Sequence, residues 1–590
     1  MKDVHDGVCK RMKRVLQKLF PFLRWWPLTR KDLRADFIAG LTVALVLIPQ
    51  SMAYAQLAGL PPYYGLYAAF IPGIIGVMWG SSSHLATGPV AMTSLLTCAT
   101  LMPFVDKVGS EEYIQLAVLL ALLVGIVRLL TGILRLTFMV NFLSQPVIRG
   151  FTNAGALIIA SSQVNKLLGV EMARSDFYLS DIFGVATRVG QAHIPTLLIG
   201  TVSIAVIFFL KKYRPRIPSA LVVAVLGAVA AYSWSRFGAD VDADRMMAGG
   251  ISVVGNVPQG LPDFAPPRWD DRALQLIPGA VVVMFIGFME VCSVTKAIAA
   301  RSKEKVDLNQ EMIGQGMSAV AGSFSQCYPT SGSFSRSAIN YAAGGRTGVS
   351  SLFAGAFVLV TLLFLTDLLF FLPQAALAAI IIMAVAGLVD FKEMVQAWKV
   401  QKRDGIAALV TFAATLFFAP NMVNGILLGA GVALFLHMLH TMKPRIAVVG
   451  QHEDGTLRDA AFHQLEVDRA APAVRIDGRL YFASTAYVES AVLNLLNQYP
   501  EARHILVLGS GINAIDASGV YTLRSLVEQL REGDVDLLFV GLKQQVIDAL
   551  KRSGLYQVVG REHFFRTLAD ARAYLATKRN ACCGENGQHP

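Results

Sequence analysis

The chain has 590 residues, 54% of them hydrophobic and only 16% charged, with a mean hydropathy of +0.51. Soluble domains carry about 25% charged residues, so the deficit has to sit in segments immersed in a bilayer, and an ordinary soluble enzyme is excluded. The formal net charge of +11 would suit nucleic acid, but the basic residues flank apolar stretches, as they do on the cytoplasmic face of a membrane protein. No nucleic-acid partner is expected.

In chain order, basic residues first gather between Lys10 and Arg34. The apolar residues among them (Val15, Leu16, Leu19, Phe20, Phe22, Leu23, Trp25, Trp26) suggest an amphipathic helix on the inner leaflet, residues 1–30, and no cleavable signal peptide is read there. A span needs about 20 apolar residues. The pattern predicts spans over 37–57, 63–79, 114–136, 147–168, 194–210 and 221–234, then 274–300, 352–372, 375–388, 406–419 and 423–439. Shorter segments at 90–101, 313–324 and 337–343 complete a transport domain over 31–443, a polytopic α-helical unit of about fourteen segments. Basic clusters at 211–216, 301–305 and 392–403 alternate with mixed or acidic loops at 171–181 and 238–244, which puts both termini in the cytoplasm and makes the number of segments even.

After Pro444 the periodicity changes. Strands over 474–483, 504–508 and 537–542 alternate with helices over 487–496, 520–531, 545–552 and 569–576, giving a small cytoplasmic α/β domain over 444–578 and a disordered tail over 579–590. The six cysteines fall in no disulfide or zinc spacing. Nothing matches a nucleotide-binding loop, a catalytic triad or a metal cluster, so neither enzyme activity nor a metal or other cofactor is expected.

Two interruptions stand at matching places in the two apolar halves: Ala86-Thr87-Gly88-Pro89-Val90-Ala91, and Tyr328-Pro329-Thr330-Ser331-Gly332-Ser333-Phe334-Ser335-Arg336. Backbone that leaves helical geometry inside a bilayer persists only where it lines a cavity or is buried in protein, and paired breaks mark a transporter's substrate site. Half-helices starting near Pro89 and Gly332 would each aim about half a positive charge at an anion. Ser331, Ser333 and Ser335 offer hydroxyls, and Arg336 a full charge. The alternative is that Pro and Gly merely kink two packed helices while Arg336 reaches an interface. Glu290 lies in an apolar turn, Met284 to Cys292. Protonating it would remove its repulsion of an anion, which is the logic of proton coupling; the alternative is a static pair with Arg336. Gln50 and Tyr54 share a helix face and either bind substrate or join helices. Arg128 and Arg135, seven residues apart, read as snorkelling side chains, and Asp307 with Gln310 as a helix cap. In the tail, Asp516 and Ser518 stand where a strand passes into a helix; capping explains them, and Ser518 is also a candidate regulatory phosphosite.

These residues together resemble the SulP family, the sulfate permeases and their relatives. The matching stretches are Leu47 to Ala55 (LIPQSMAYA), Gly65-Leu66-Tyr67, Thr87 to Ala91 (TGPVA), Gly150 to Ala154 (GFTNA), Asn309-Gln310-Glu311 and Pro329 to Asn340, with a STAS-like domain around Asp516 to Gly519. The resemblance implies two inverted seven-segment repeats in the core-and-gate arrangement of uracil permeases, usually as a homodimer. It implies an anion between the third and tenth segments, against the backbone of Val90, Ala91, Ser335 and Arg336, with Gln50 and Tyr54 flanking it; Ser333 and Phe334 belong to the same stretch. Family members carry sulfate, bicarbonate, chloride or dicarboxylates. Sodium-coupled bicarbonate members tend to pair the acidic residue with a threonine one turn later. Here Val294 follows Glu290, which favours protons.

The resulting expectation is a secondary active transporter of a bacterial inner membrane. It would take up sulfate or a similar small oxyanion with a proton by alternating access, with a further cytoplasmic partner for the STAS domain. Sodium-coupled or exchange-type carriage of bicarbonate, chloride or dicarboxylate is the alternative within transport. A membrane-tethered STAS regulator with vestigial transport is the alternative outside it, disfavoured because buried charge without a task is expensive.

Overall fold

The computed structural model describes residues 20–138, 144–170, 178–214, 217–236, 251–419 and 421–585. Residues 1–19 of the inner-leaflet helix expected over 1–30, the acidic loop at 238–244 and the last five residues of the tail lie outside the described residues. Two compact units divide the chain, 1–433 and 434–590.

The first unit holds seven segments in each half. The first half contains α1 (Arg30–Leu57), α2 (Tyr63–Trp79), the short strand β1 (Ala86–Gly88), α3 (Ala91–Leu101), α4 (Glu111–Ile133), α5 (Gln145–Ser162), α6 (Ile194–Tyr213) and α7 (Ser219–Arg236). The second contains α8 (Ala273–Ser302), α9 (Leu308–Ser323), β2 (Ser331–Ser333), α10 (Phe334–Ala342), α11 (Val349–Phe364), α12 (Gln374–Val385), α13 (Lys402–Phe417) and α14 (Met422–Thr441). By length and composition α1, α4, α6, α8 and α14 can each cross a membrane alone; the shorter segments depend on the packing around them. Thr29 and Asp32 start α1 with a reciprocal capping box.

The packing partners show the repeat. α1 packs on α11, and α8 on α4; α2 packs on α11, and α9 on α4; α5 packs on α13, and α12 on α6. Moving every helix by seven places converts each pair into another observed pair, which is what two copies of one seven-segment unit require. The most apolar windows of α1 and α4 are 67% and 61% buried within the protein, against 22% for α6 and 28% for α14. The site-bearing helices are therefore enclosed by other helices, while the latter two turn most of their apolar surface outward, as lipid contact demands.

The expected leaflet helix is corrected at its described end. Pro21–Trp25 forms a single 3-10 turn, and Trp25 is buried against Val77 and Val349 rather than lying in a lipid face.

The second unit is α/β. Its sheet contains β3 (Arg445–Gln451), β4 (Leu457–Asp459), β5 (Ala473–Leu480), β6 (His504–Leu508), β7 (Ile512–Ile515), β8 (Asp536–Val540) and β9 (Phe564–Phe565). β5, β6, β8 and β9 pair in parallel, and β3 joins β5 antiparallel. Helices α15 (Thr485–Gln498), α16 (Ala517–Glu532), α17 (Gln544–Arg552), α18 (Leu555–Val559) and α19 (Leu568–Glu585) complete it. α19 continues to Glu585, so the tail expected to be disordered from 579 is helical through its first seven residues.

Candidate functional site

The two breaks cross and pair with each other. β1 and β2 form an antiparallel ribbon, Ala86 opposite Ser333, Thr87 opposite Gly332 and Gly88 opposite Ser331. Each strand thus satisfies the backbone groups that the other leaves outside helical geometry. Because the strands are antiparallel, α3 and α10 leave the ribbon in opposite directions and both N-termini point back to it. The approach to β1 is held by carboxylates. Glu311 of α9 accepts from the amides of Ser81 and Ser82 at 2.7 and 2.9 Å, and Glu304 accepts from Ser83 N at 3.0 Å and Ser83 Oγ at 2.6 Å. Glu304 lies in the loop after α8. Burial pushes its carboxyl up, but the hydrogen bonds with His84 and Ser83 outweigh burial and hold it below the usual range.

α10 begins at Phe334, three residues before the half-helix expected at 337. Ser333 is its N-cap, its Oγ accepting from Arg336 N at 3.4 Å. This puts Arg336 in the first turn, where it is fully buried. Its Nη1 donates to Pro89 O at 2.8 Å, across to the other break. A Cβ on Gly88 would stand 3.2 Å from Arg336 Nη2, so the missing side chain there leaves the guanidinium its place. Arg336 Nε and Nη2 are buried without a hydrogen-bond partner. An arginine reaching for the interface would not be enclosed in this way.

Glu290 in α8 is half-buried, and its Oε2 is buried without a partner. Among the described residues it makes no hydrogen bond or ion pair with Arg336, so the static pair is not what the structure contains. Gln50 and Tyr54 are both buried on α1, and Gln50 Oε1 has no partner. Val90 is half-buried and Ala91 buried, whereas Phe334 is 57% exposed and Ser335 is exposed beside it. Ser333 Oγ and Ser335 Oγ are 3.4 Å apart. One hydroxyl expected at the site is committed elsewhere: Ser331 Oγ donates to Gly287 O at 2.8 Å and ties β2 to α8. Tyr328, which the sequence placed only as the edge of the break, is buried with its hydroxyl 3.3 Å from Ser94 Oγ of α3.

Arg128 is the main correction. It does not snorkel; it is 1% exposed and donates from Nη1 to Thr330 O at 2.8 Å. The signal lay in its neighbours, because Gly125, Arg128 and Gly132 share one face of α4 at i, i+3 and i+7. A Cβ on Gly125 or Gly132 would run into the backbone of Val320 or Ile313 on α9. That face therefore packs on protein and cannot meet lipid. Arg135 is exposed, as a snorkelling residue should be. A cavity of about 960 Å³ at the far ends of α1 and α3, lined in part by Gln56, Lys107, Lys166 and Asn421, includes none of the expected site residues. In the second unit Asp516 is the N-cap of α16, accepting from Gly519 N at 2.8 Å and Phe482 N at 3.1 Å, while Ser518 is exposed.

The model of the sulfate permease family matches residues 33–411, and that of the STAS domain residues 464–571. The chain belongs to the sulfate permease family. Membership makes it an anion transporter. Sulfate transporter 4.1, chloroplastic, of Arabidopsis thaliana is 36% identical over 588 residues, 96% of this chain and 85% of its own length. High affinity sulfate transporter 2 of Stylosanthes hamata is 32% identical, covering 96% of this chain and 88% of its own. The murine Slc26a9 anion transporter, solved in the inward-facing state, superposes with a TM-score of 0.85 over 96% of this chain and 95% of its own, at 22% identity. That likeness gives the fold of this family member: inverted repeats followed by a STAS domain. The expected bacterial inner membrane is overturned by the sequence relatives. Sulfate transporters 4.1, 4.2 and 1.2 of Arabidopsis thaliana, the first chloroplastic by name, are plant proteins, which points to a eukaryotic membrane.

Proposed function

We propose that this permease moves sulfate, or a small oxyanion of the same charge, together with a proton, and binds the anion at the crossed breaks. The observation that carries the reading is Arg336: fully buried, held by one nitrogen on Pro89 O, with two further nitrogens unpartnered. A buried cation with open donors calls for an anionic partner, because leaving it uncompensated is costly. The amides that open α3 lack a side-chain cap and carry partial positive charge toward the same place. Val90, Ala91, Ser333, Phe334, Ser335 and Arg336 supply the wall on the two half-helices, and Gln50 and Tyr54 the wall on α1. Sulfate is the first choice among oxyanions because the full-length relatives are sulfate transporters by name.

Glu290 supplies the coupling. Its ionised form repels an incoming anion and competes for the same arginines; its protonated form does neither. Binding of proton and anion therefore favour each other, and that mutual preference is the coupling free energy that symport needs. The side chain of Val294, one turn on, offers no oxygen to a sodium ion. In the second unit, exposed Ser518 beside the start of α16 is a site where an added phosphate would be electrostatically tolerated.

The test is uptake of labelled sulfate into proteoliposomes under an imposed inward proton gradient, then a sodium gradient, then with bicarbonate as competitor. Proton-stimulated sulfate uptake is the expected result. Bicarbonate or chloride flux without sulfate uptake would discard both the substrate and the coupling ion.

A further inference from the structure

We propose that Arg128 is a positioning residue for the coupling step: it is the second counter-charge of Glu290, and it holds the ionised carboxylate away from Arg336 so that Arg336 stays open to the anion. The inference rests on the reading of Glu290 as the proton carrier.

The geometry treats the two buried arginines alike. Arg336, from the second half, holds the carbonyl of Pro89 in the first break; Arg128, from the first half, holds the carbonyl of Thr330 in the second break. Each uses Nη1 alone, and each keeps Nε and Nη2 buried without a partner. Each Nη2 also lies against a glycine. A Cβ on Gly287 would stand 2.6 Å from Arg128 Nη2, closer than real side-chain carbons approach. Gly287 is one turn before Glu290 on α8, so that nitrogen lies against the helix face that carries Glu290. Glu290 Oε2 is itself unpartnered. Three orphaned ionic side chains thus surround one stretch of α8. Orphaned buried charge is costly in every state, unless the carboxylate has a partner when ionised and the arginines have one when the substrate arrives.

Other charges do not compete for the role. The elements packed on α8 are α3, α4, α10 and β2. From them come Arg128 on α4, with Glu111, Glu112 and Tyr113 four to five turns away at that helix's start, Arg336 and the more distant Tyr341 on α10, and Cys98 on α3, while β2 has no ionisable side chain. Tyr54 is a buried titratable group of α1, and Cys292 and Lys296 are the titratable neighbours of Glu290 on α8 itself.

When Glu290 is ionised, the three groups sum to one positive charge; when it is protonated, they sum to two. The site therefore changes its match from a monovalent to a divalent anion as it takes up the proton, which selects a divalent oxyanion as the co-transported species.

The experiment compares the parent, Arg128→Gln, Arg128→Lys and Glu290→Gln as full chains in proteoliposomes, measuring sulfate uptake against external pH. Removing the Arg128 charge leaves ionised Glu290 less compensated, so Arg128→Gln should shift the proton-stimulated limb toward alkaline pH by about one unit, the effect of one lost charge interaction of ordinary size. It should also weaken sulfate relative to chloride as a competitor. Arg128→Lys should restore the parent profile. Were Arg128 only a clamp on Thr330, Arg128→Gln would lower yield or rate without moving the profile, and that result overturns the proposal. If Glu290→Gln keeps the parent's pH dependence, the coupling reading falls and this inference with it. If Glu290→Gln loses that dependence while Arg128→Gln keeps it, only this inference falls. Should Arg128→Gln fail to fold, the Arg128→Gln/Glu290→Gln double variant decides. Restored yield in the double variant supports mutual compensation, and continued failure overturns it.

Discussion

The two half-helices that meet at the ribbon do opposite things with the same position in their repeats. α3 is buried along its whole length, and Val90 at its N-cap gives its opening amides no side-chain partner. α10 buries only Arg336, Ser337 and Asn340, and Ser333 caps its first turn. One half therefore offers the anion backbone dipole on a fixed wall; the other offers a formal charge on a helix with an open face. The difference teaches where each contribution can be altered. A formal charge can be deleted by substitution, whereas backbone amides can only be covered.

The largest effect should come from deleting the charge. Arg336→Ala should weaken sulfate binding about a hundredfold or more, the usual cost of removing one partner of a desolvated charge pair. Calorimetry on the purified protein measures it, and retained affinity would remove the site from the ribbon. Next is the proton: Glu290→Gln should hold sulfate yet lose the pH dependence of uptake, since its side chain is then permanently uncharged. Covering the amides of α3 should rank third. Val90→Ser introduces a cap of the kind α10 already has, worth about 1 kcal/mol; the anion would compete with it, and affinity should drop by a few-fold. Smallest is the reverse exchange. Ser333→Ala removes the cap of α10 and should cost about 1 kcal/mol of stability in thermal unfolding, with a loss of sulfate affinity smaller than that of Val90→Ser. A larger loss of affinity from Ser333→Ala than from Val90→Ser would invert the assignment of roles between the halves.

Much of this was legible in the chain. The run from Tyr63 to Trp79 and the strand from His504 to Leu508 appear at their expected limits, because continuous apolar runs bounded by Pro, Gly or charge leave little latitude. The start of α10 was not legible: Ser333-Phe334-Ser335-Arg336 has the polarity of a loop, and the capping hydrogen bond that makes it helix needs Ser333 already placed by β1. Arg128 was misjudged because arginine near a span end usually snorkels; the glycines on its face were the overlooked clue.

By itself the sequence determined that the chain is membrane-embedded, that its two halves each carry a break at the third segment, and that an α/β domain follows, since hydropathy and periodicity are local properties. Only the tertiary structure decided which polar atoms at the breaks are matched and which are left open. The decisive bonds, Arg336 to Pro89 and Arg128 to Thr330, join residues 247 and 202 positions apart. Nothing in a local pattern specifies contacts at that range. They follow from the crossing of two inverted repeats, which puts the backbone of each half within reach of an arginine from the other.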